Sequence, residues 1–177
     1  PNHMDPPLHY ASAGTDTRLD IIAGITPVRF GGDSLGGTIS LSRPDPVFAA
    51  PGSTQWAGEL ASNYFGSHDG HGFGGELDWA SEELRVGYRG GWSRADDLRI
   101  PGGTVRASGY DSQHHDLAAA IPAGDGFLEF DAGLTRTRDA GTAALPMDMV
   151  EADSWHAGLR HRAVLECGTL ESRIYIH

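Results

Sequence analysis

Apolar and polar residues alternate one by one along most of the chain from about residue 53 onward. The clearest example places Leu84, Val86, Tyr88, Gly90 and Trp92 on one side of the alternation and Arg85, Gly87, Arg89, Gly91 and Ser93 on the other. Successive side chains of a β-strand point to opposite faces, so this period predicts strands and excludes a helix here. The pattern recurs toward the C-terminus and predicts seven strands in all.

Strand length separates a soluble sandwich from a transmembrane barrel, because both show the same alternation. Several predicted strands run for about ten residues, the length a tilted strand needs to cross a membrane, whereas globular strands average about five or six. Predicted connections alternate between short turns, at 80–83, 122–126 and 163–169, and longer loops, at 66–72, 96–111 and 138–151. Outer-membrane barrels have this arrangement, so the sequence predicts an antiparallel transmembrane β-barrel portion.

Composition narrows the function classes. No apolar run approaches the roughly 20 residues of a membrane helix, while glycine is abundant at 25 residues. The net charge of −11, with only 13 scattered basic residues, argues against nucleic acid as a partner. The single cysteine, Cys167, rules out a disulfide within this chain. We find no nucleophile motif, phosphate-binding loop or carboxylate pair, so the sequence does not predict an enzyme.

The region before residue 53 differs in kind, since it is rich in proline and glycine. Residues 18–24 predict one short buried strand, and the proline-rich stretch 43–51 predicts a linker. We therefore expect three parts: a first unit at 1–45, a linker at 46–52 and the alternating strands at 53–177.

Residues 18–40 have the sequence RLDIIAGITPVRFGGDSLGGTIS, in which a short strand and a glycine precede an aromatic-Gly pair and then Gly-Gly with β-branched residues. The positions that match in order and spacing are Gly24, Phe30, Gly31, Gly36, Gly37, Thr38 and Ile39. This run resembles the end of the plug domain of TonB-dependent outer-membrane receptors. The resemblance implies that residues 1–45 are the C-terminal part of a plug and 53–177 the first barrel strands.

By this resemblance the whole receptor would bind a scarce ligand outside the cell and import it with energy relayed by TonB. Its partners would be TonB, outer-membrane lipid and a metal or metal chelate, and no catalytic residue or cofactor is implied. The chain would be a fragment, without the signal peptide, the TonB-contacting segment, the first half of the plug and the last strands. Because seven strands cannot close a large barrel, we expect the sheet to be open.

Histidines and methionines gather in the segments expected to face outward. The candidate metal ligands are His3, Met4, His68, His71, Met147 and Met149, with His114 and His115 at the end of the second loop. Thioether sulfur together with imidazole favours copper over harder ions. Residues 2–8 and 144–149 also look similar to segments in the copper-receptor branch of the family. We therefore expect copper as the transported ligand, with His3 and Met4 as its main ligands.

Three alternatives stay open. A ferric-siderophore or other organic-chelate receptor would use residues such as Arg99, Arg106 and Tyr110 in the second loop. A small structural or adhesive outer-membrane barrel would need only one more strand. A soluble β-sandwich enzyme would hold a metal between the histidines, but it leaves the aromatic faces unexplained. The sequence predicts lipid contact for Trp56, Trp79, Trp92, Trp155, Tyr64 and Tyr88.

Overall fold

The structure is a computed structural model that describes residues 18–25, 27–28, 36–140 and 149–176. Across these residues the protein is all-β, as predicted. Its strands are β1 (Arg18–Ala23), β2 (Gly37–Ser42), β3 (Gln55–Phe65), β4 (Gly70–Ala80), β5 (Arg85–Ala95), β6 (Leu98–Ile100), β7 (Gly103–Val105), β8 (Tyr110–Ala123), β9 (Gly126–Ala140), β10 (Met149–Leu165) and β11 (Gly168–Ile176). The described residues contain no helix long and apolar enough to span a membrane. The chain divides into two units, Pro1–Asp45 and Pro46–His177.

The second unit contains a seven-stranded antiparallel sheet with the order β11-β10-β9-β8-β5-β4-β3. Each strand pairs with its neighbour in the chain, except that the β6–β7 hairpin is inserted between β5 and β8. The predicted seven strands are confirmed. The sheet is also open as predicted, since β3 and β11 are its two edges and do not pair with each other.

The register of the sheet aligns the predicted apolar positions on one face. Residues that pair across antiparallel strands point to the same face, so one paired set defines a row. One such row contains Trp56, Trp79, Val86, Ala119, Phe130, Leu159 and Ile174. We call the face that carries this row the apolar face. The opposite face carries Glu76, Arg89, Asp116 and Asp131, and we call it the polar face.

Connections between the seven strands differ at the two ends of the sheet. The turn edge has the short turns 81–84, 124–125 and 166–167, and the loop edge has 66–69, 96–109 and 141–148, the last outside the described residues. The prediction of a long loop at 66–72 was wrong, because β3 continues to Phe65 and β4 begins at Gly70. Asp69 closes this tight turn with a positive φ of 45°. Gly70 and Gly72 belong to β4 and pair with Phe65 and Asn63 of β3. The Asn63 side chain fills the space beside Gly72.

Within the first unit, β1 and β2 form an antiparallel hairpin in which Ile21 pairs with Ile39. The predicted strand in residues 18–24 is present, but the prediction that it is buried was wrong, since Ile21 is 70% exposed. The physical reason is that a two-stranded ribbon forms one layer, so its side chains need another element to cover them. Residues 46–52 lie in the second unit, where the Ala49 amide donates a 3.0 Å hydrogen bond to the Ser81 carbonyl.

Candidate functional site

The polar face is held together by ion pairs between neighbouring strands. Arg85 lies 2.6 Å from Asp78, and Arg89 lies 3.2 Å from Glu76, so both pairs join β4 to β5. Asp116 of β8 stands directly opposite Arg89 in the register. The charged side chains thus form cross-strand contacts rather than pointing singly into water, and this stabilises the register of the sheet.

The most buried charges lie near the turn edge of this face. Glu129 and Arg160 are only 3% and 8% exposed, and they are the two buried polar residues of the described part of the chain. Arg160 Nη1 lies 3.6 Å from Glu129 Oε2, while its Nε donates a 3.1 Å hydrogen bond to Glu171 Oε1. The Arg160 guanidinium also covers the ring of Phe127, 4.9 Å from its centroid. One arginine therefore joins β9, β10 and β11.

A histidine between two carboxylates occupies the middle of the polar face. His156 Nε2 lies 3.6 Å from Asp116 Oδ1 and 3.6 Å from Asp131 Oδ2, so the three residues join β8, β9 and β10. Gly133 stands between them, and a Cβ added there would collide with the His156 ring and the Asp116 carboxylate. The missing side chain at Gly133 is what leaves room for this cluster.

The apolar face exposes large hydrophobic side chains instead of burying them. Trp56 is 68% exposed and Leu60 is 77% exposed. Other exposed members of this face are Phe73, Leu77, Tyr88, Trp92, Leu117, Phe130, Leu134, Trp155, Leu159 and Ile174. The described buried hydrophobic residues are only Ala49, Ala80, Ala95, Ala120 and Phe127. A soluble domain has the reverse arrangement, with large apolar side chains inside and charges outside.

Aromatic and polar side chains meet at the loop edge of the apolar face. Tyr64 stacks on His71 with ring centroids 5.3 Å apart. The indole N–H of Trp92 donates a 3.0 Å hydrogen bond to Asp111. Such side chains, with an apolar body and a polar tip, suit a boundary between apolar and aqueous surroundings.

Of the predicted metal ligands, His68 and His71 can be placed. His68 lies in the turn 66–69, stacks on Phe65 at 5.6 Å and shares a 2.8 Å hydrogen bond with Ser67. His71 lies in β4 on the apolar face, against Tyr64. Because Tyr64 and Phe65 are successive strand residues, they face opposite sides of the sheet, and the two imidazoles stack on opposite sides as well.

His3, Met4 and Met147 lie outside the described residues, and only the backbone of Met149 is described. These positions stay predictions. His114 and His115 belong to β8 rather than to a loop end, and as neighbours in a strand they point to opposite faces. The structure therefore does not bring His68, His71, His114 and His115 together in one site. Within the described part of the chain, no three His, Cys, Asp or Glu side chains are placed to hold one metal ion.

The first two connections of the loop edge are packed together. The Asp96 amide donates to the His68 carbonyl at 2.9 Å, and the Arg99 amide donates to the Ser67 carbonyl at 2.8 Å. The Arg99 guanidinium also lies 2.6 Å from Asp69. The turn 66–69 and the β6–β7 hairpin thus form one small surface, to which Arg99 contributes both its backbone amide and its guanidinium.

Asp97 closes the base of the β6–β7 hairpin. Its Oδ1 accepts hydrogen bonds from the backbone amides of Ser108, at 2.9 Å, and Gly109, at 3.1 Å. The Ser108 hydroxyl in turn accepts from the Leu98 amide at 2.8 Å. The Ser108 amide is the main reason that the pKa of Asp97 lies below its ordinary value, with smaller contributions from Gly109, Ala107 and Arg106.

Sequence reasoning missed Asp97 and the Glu129–Arg160 pair as structural anchors. The alternation indicated that Glu129 and Arg160 share the polar face, but it carries no information on which charges become buried. For Asp97 a weak signal existed, because aspartate close to Ser and Gly in a loop often accepts backbone hydrogen bonds.

Comparison with known proteins brought no relative: no protein-family model, no curated protein and no solved structure matches this chain. Its function therefore has to be argued from the two faces of its sheet and from the side chains at its loop edge.

Proposed function

We propose that this chain forms strands of an outer-membrane β-barrel, and that the protein is a TonB-dependent receptor that imports a scarce metal, with copper as the ligand. The observation that supports this most is the reversed polarity of the sheet. Large side chains such as Trp56 and Leu60 are exposed on one face, whereas Glu129 and Arg160 are buried on the other.

The charged residues are also distributed unequally between the two faces. On the apolar face, no Asp, Glu, Lys or Arg occurs in the described strands between the row of Trp56 and the row of Leu60. Over the same rows the polar face carries Glu59, Glu76, Asp78, Arg89, Asp116 and Asp131. Barrel strands in lipid need this separation, because an Arg or Lys side chain facing the middle of the bilayer costs about 2–4 kcal/mol and an Asp or Glu side chain somewhat less.

The receptor assignment depends on the N-terminal unit. Its support is the resemblance of residues 18–40 to the end of a plug domain, directly before the long strands. Under this proposal the polar face lines a wet barrel interior, where ion pairs such as Arg89–Glu76 keep access to water. The turn edge would face the periplasm and the loop edge the cell exterior, since longer loops lie outside in such barrels.

Copper is the ligand that the available donor chemistry favours. All three methionines of the chain, Met4, Met147 and Met149, lie in segments expected to reach the outer surface, together with His3 and His68. Thioether and imidazole ligands select copper more strongly than they select calcium, magnesium or manganese. The siderophore alternative would instead depend on Arg99, which pairs with Asp69 in the structure.

The membrane part of the proposal can be tested with two neighbouring residues. Leu60 and Ala61 are adjacent in β3 and point to the apolar and polar faces. In the full-length protein folded into phospholipid vesicles, we expect Leu60→Arg to lower the free energy of unfolding by about 2–4 kcal/mol. Ala61→Arg, the matched control, should change it by less than about 1 kcal/mol. Equal effects of the two substitutions would contradict a lipid-facing apolar face.

The ligand can be tested by copper titration of the full-length protein in detergent, using calorimetry and metal analysis. We expect tight binding by the wild-type protein and its loss in Met4→Ala, because a thioether supplies affinity that a methyl group cannot. A wild-type protein that binds no copper would exclude this ligand and would favour an organic iron chelate, for which the same titration is then repeated.

A further inference from the structure

The limits of the apolar surface do not follow the rows of the sheet. At the loop edge, the run of uncharged residues on the apolar face extends to Tyr64 on β3, but only to Leu134 on β9. Leu134 lies in the row of Leu60, which is four residues before Tyr64. Beyond Leu134 the apolar face of β9 continues with the charged residue Arg136. The apolar surface therefore ends earlier on β9 than on β3.

The limit at the turn edge shifts in the same direction. On β3 the first apolar residue of this face is Trp56, whose row passes through Phe130 of β9 and Ile174 of β11. On β9 the apolar face reaches one row further, to Leu128, and on β11 it reaches Leu170, four residues before Ile174. Both limits thus move toward the turn edge from β3 to β11, so the apolar surface is a band with parallel sides that crosses the strands obliquely.

The angle between this band and the rows can be calculated from the dimensions of the sheet. Its loop-side limit shifts by two rows between Tyr64 on β3 and Trp155 on β10, which are five strand spacings apart. With a rise of about 3.3 Å per residue and a strand spacing of about 4.8 Å, the band departs from the rows by roughly 30°. Transmembrane strands are tilted by about 35–45°, so the slope lies close to the range of spanning strands.

The height of the band is the second quantity that matters. It extends from Trp56 to Tyr64 on β3 and from Leu128 to Leu134 on β9. These lengths correspond to about 20–26 Å along a strand, and to about 17–23 Å after correction for the tilt. Typical bilayers have a hydrocarbon core of about 30 Å, whereas the apolar bands of outer-membrane barrels are about 25 Å tall.

We propose that the apolar face contacts lipid along this oblique band, so that the strands cross a thin bilayer at a tilt of roughly 30°. This inference rests on the proposed membrane function and deepens it, because it assigns a depth to each residue. Leu60 lies near the middle of the bilayer and Leu134 at its loop-side boundary, although they share one row. In the row of Trp56 the order is reversed, with Trp56 at the turn-side boundary and Phe130 deeper.

The positions of charged residues support the loop-side boundary of the band, independently of its height and slope. Directly beyond the band, the apolar face of β8 to β10 carries a set of paired charges, which are Asp111, Arg136, Arg138, Glu151 and Asp153. Arg136 donates a bidentate pair of hydrogen bonds to Asp153, both at 2.9 Å, and Arg138 lies 3.2 Å from Glu151. Paired charges on the lipid side are compatible with the level of the headgroups, and not with the hydrocarbon core.

Depth measurements with spin labels test this proposal. Cys167 is exposed and is first replaced by serine. Single labels are then placed by Leu60→Cys, Leu134→Cys, Trp56→Cys and Phe130→Cys in the full-length protein folded into dilauroylphosphatidylcholine vesicles. Collision rates with oxygen and with a nickel chelate report the depth of each label. We expect the label at 60 to lie about 9 Å deeper than that at 134, and the label at 130 deeper than that at 56.

Two results would overturn different parts of the argument. Equal depths within each row would exclude the oblique band but leave the lipid-facing surface standing. Labels on the apolar face that collide with the nickel chelate and not with oxygen would contradict the membrane function itself. A label at Ala61→Cys, on the polar face, provides the reference signal for a water-exposed position. Where a cysteine variant does not fold, the same positions are tested with tryptophan and bromine-labelled lipids.

Discussion

Arg160 and Glu129 face each other between β10 and β9, with Nη1 and Oε2 3.6 Å apart, at the most buried place of the polar face. Arg160 also donates to Glu171 and lies over the Phe127 ring, so it contacts both strands next to its own. Charges buried at such a place stabilise a fold only while they remain paired, because an isolated ion is strongly destabilising.

We therefore expect Arg160→Ala to lower the free energy of unfolding by about 3 kcal/mol, since it removes the guanidinium that faces the buried Glu129 carboxylate. Arg173→Ala is the matched control, because Arg173 also pairs with Glu171, at 3.3 Å, but is about half exposed. For Arg173→Ala we expect the free energy of unfolding to fall by at most about 1 kcal/mol, because the pair that it removes is exposed. Urea unfolding of the full-length protein in vesicles measures both, and equal losses would show that burial of the pair is unimportant.

Gly133 leaves the space that the cluster of His156, Asp116 and Asp131 occupies. Gly133→Ala should displace His156 and lower the free energy of unfolding by about 1–3 kcal/mol, since overpacking forces side chains from their rotamers. Gly74→Ala serves as the control, because a Cβ there would meet only the Gly90 carbonyl, at an ordinary 3.7 Å. If Gly74→Ala destabilises as strongly as Gly133→Ala, backbone conformation rather than space would explain both effects.

Asp97 should make the order of the β6–β7 hairpin dependent on pH. Its pKa is lowered from the ordinary 3.8, first by the Ser108 amide, so the ionised carboxylate stabilises the loop at pH above about 4. This stabilisation is lost as the pH falls through the lowered folded-state pKa. Amide hydrogen exchange at Ser108 and Gly109 should therefore accelerate only at acidic pH, beyond its intrinsic pH dependence.

Asp97→Asn is the control for this effect. The amide oxygen of asparagine can still accept both backbone hydrogen bonds, but it carries no charge to titrate and is a weaker acceptor than a carboxylate. We expect the variant to exchange faster than wild type at neutral pH and to show no additional loosening at low pH. A wild-type loop whose protection is unchanged down to pH 2 would contradict the role of the Asp97 carboxylate.

His68 and His71 should act independently in any copper binding. Their rings stack on Phe65 and Tyr64, which face opposite sides of the sheet, so this arrangement does not favour two bonds to one ion. In a double-mutant cycle of His68→Ala and His71→Ala we expect the changes in copper affinity to add within about 0.5 kcal/mol. A coupling above about 1 kcal/mol would mean that the two imidazoles share an ion.

The architecture could be predicted largely from the chain itself. The alternation around Val86, Phe130 and Leu159 assigned the strands and their faces correctly, because side-chain direction in a strand follows from position alone. The turn 66–69 was predicted as a longer loop, since the glycines that follow it are typical of loops. Their place within β4 depends on pairing with β3 and β5, which local pattern does not reveal.

By itself the sequence determined which residues share a face, and hence the separation of an apolar from a charged surface. Only the tertiary structure decided that Arg160 is buried against Glu129, that Asp97 closes the β6–β7 hairpin and that the apolar band crosses the strands obliquely. The physical reason is that alternation is a property of neighbouring residues, whereas burial, ion pairing and slope depend on the register between different strands.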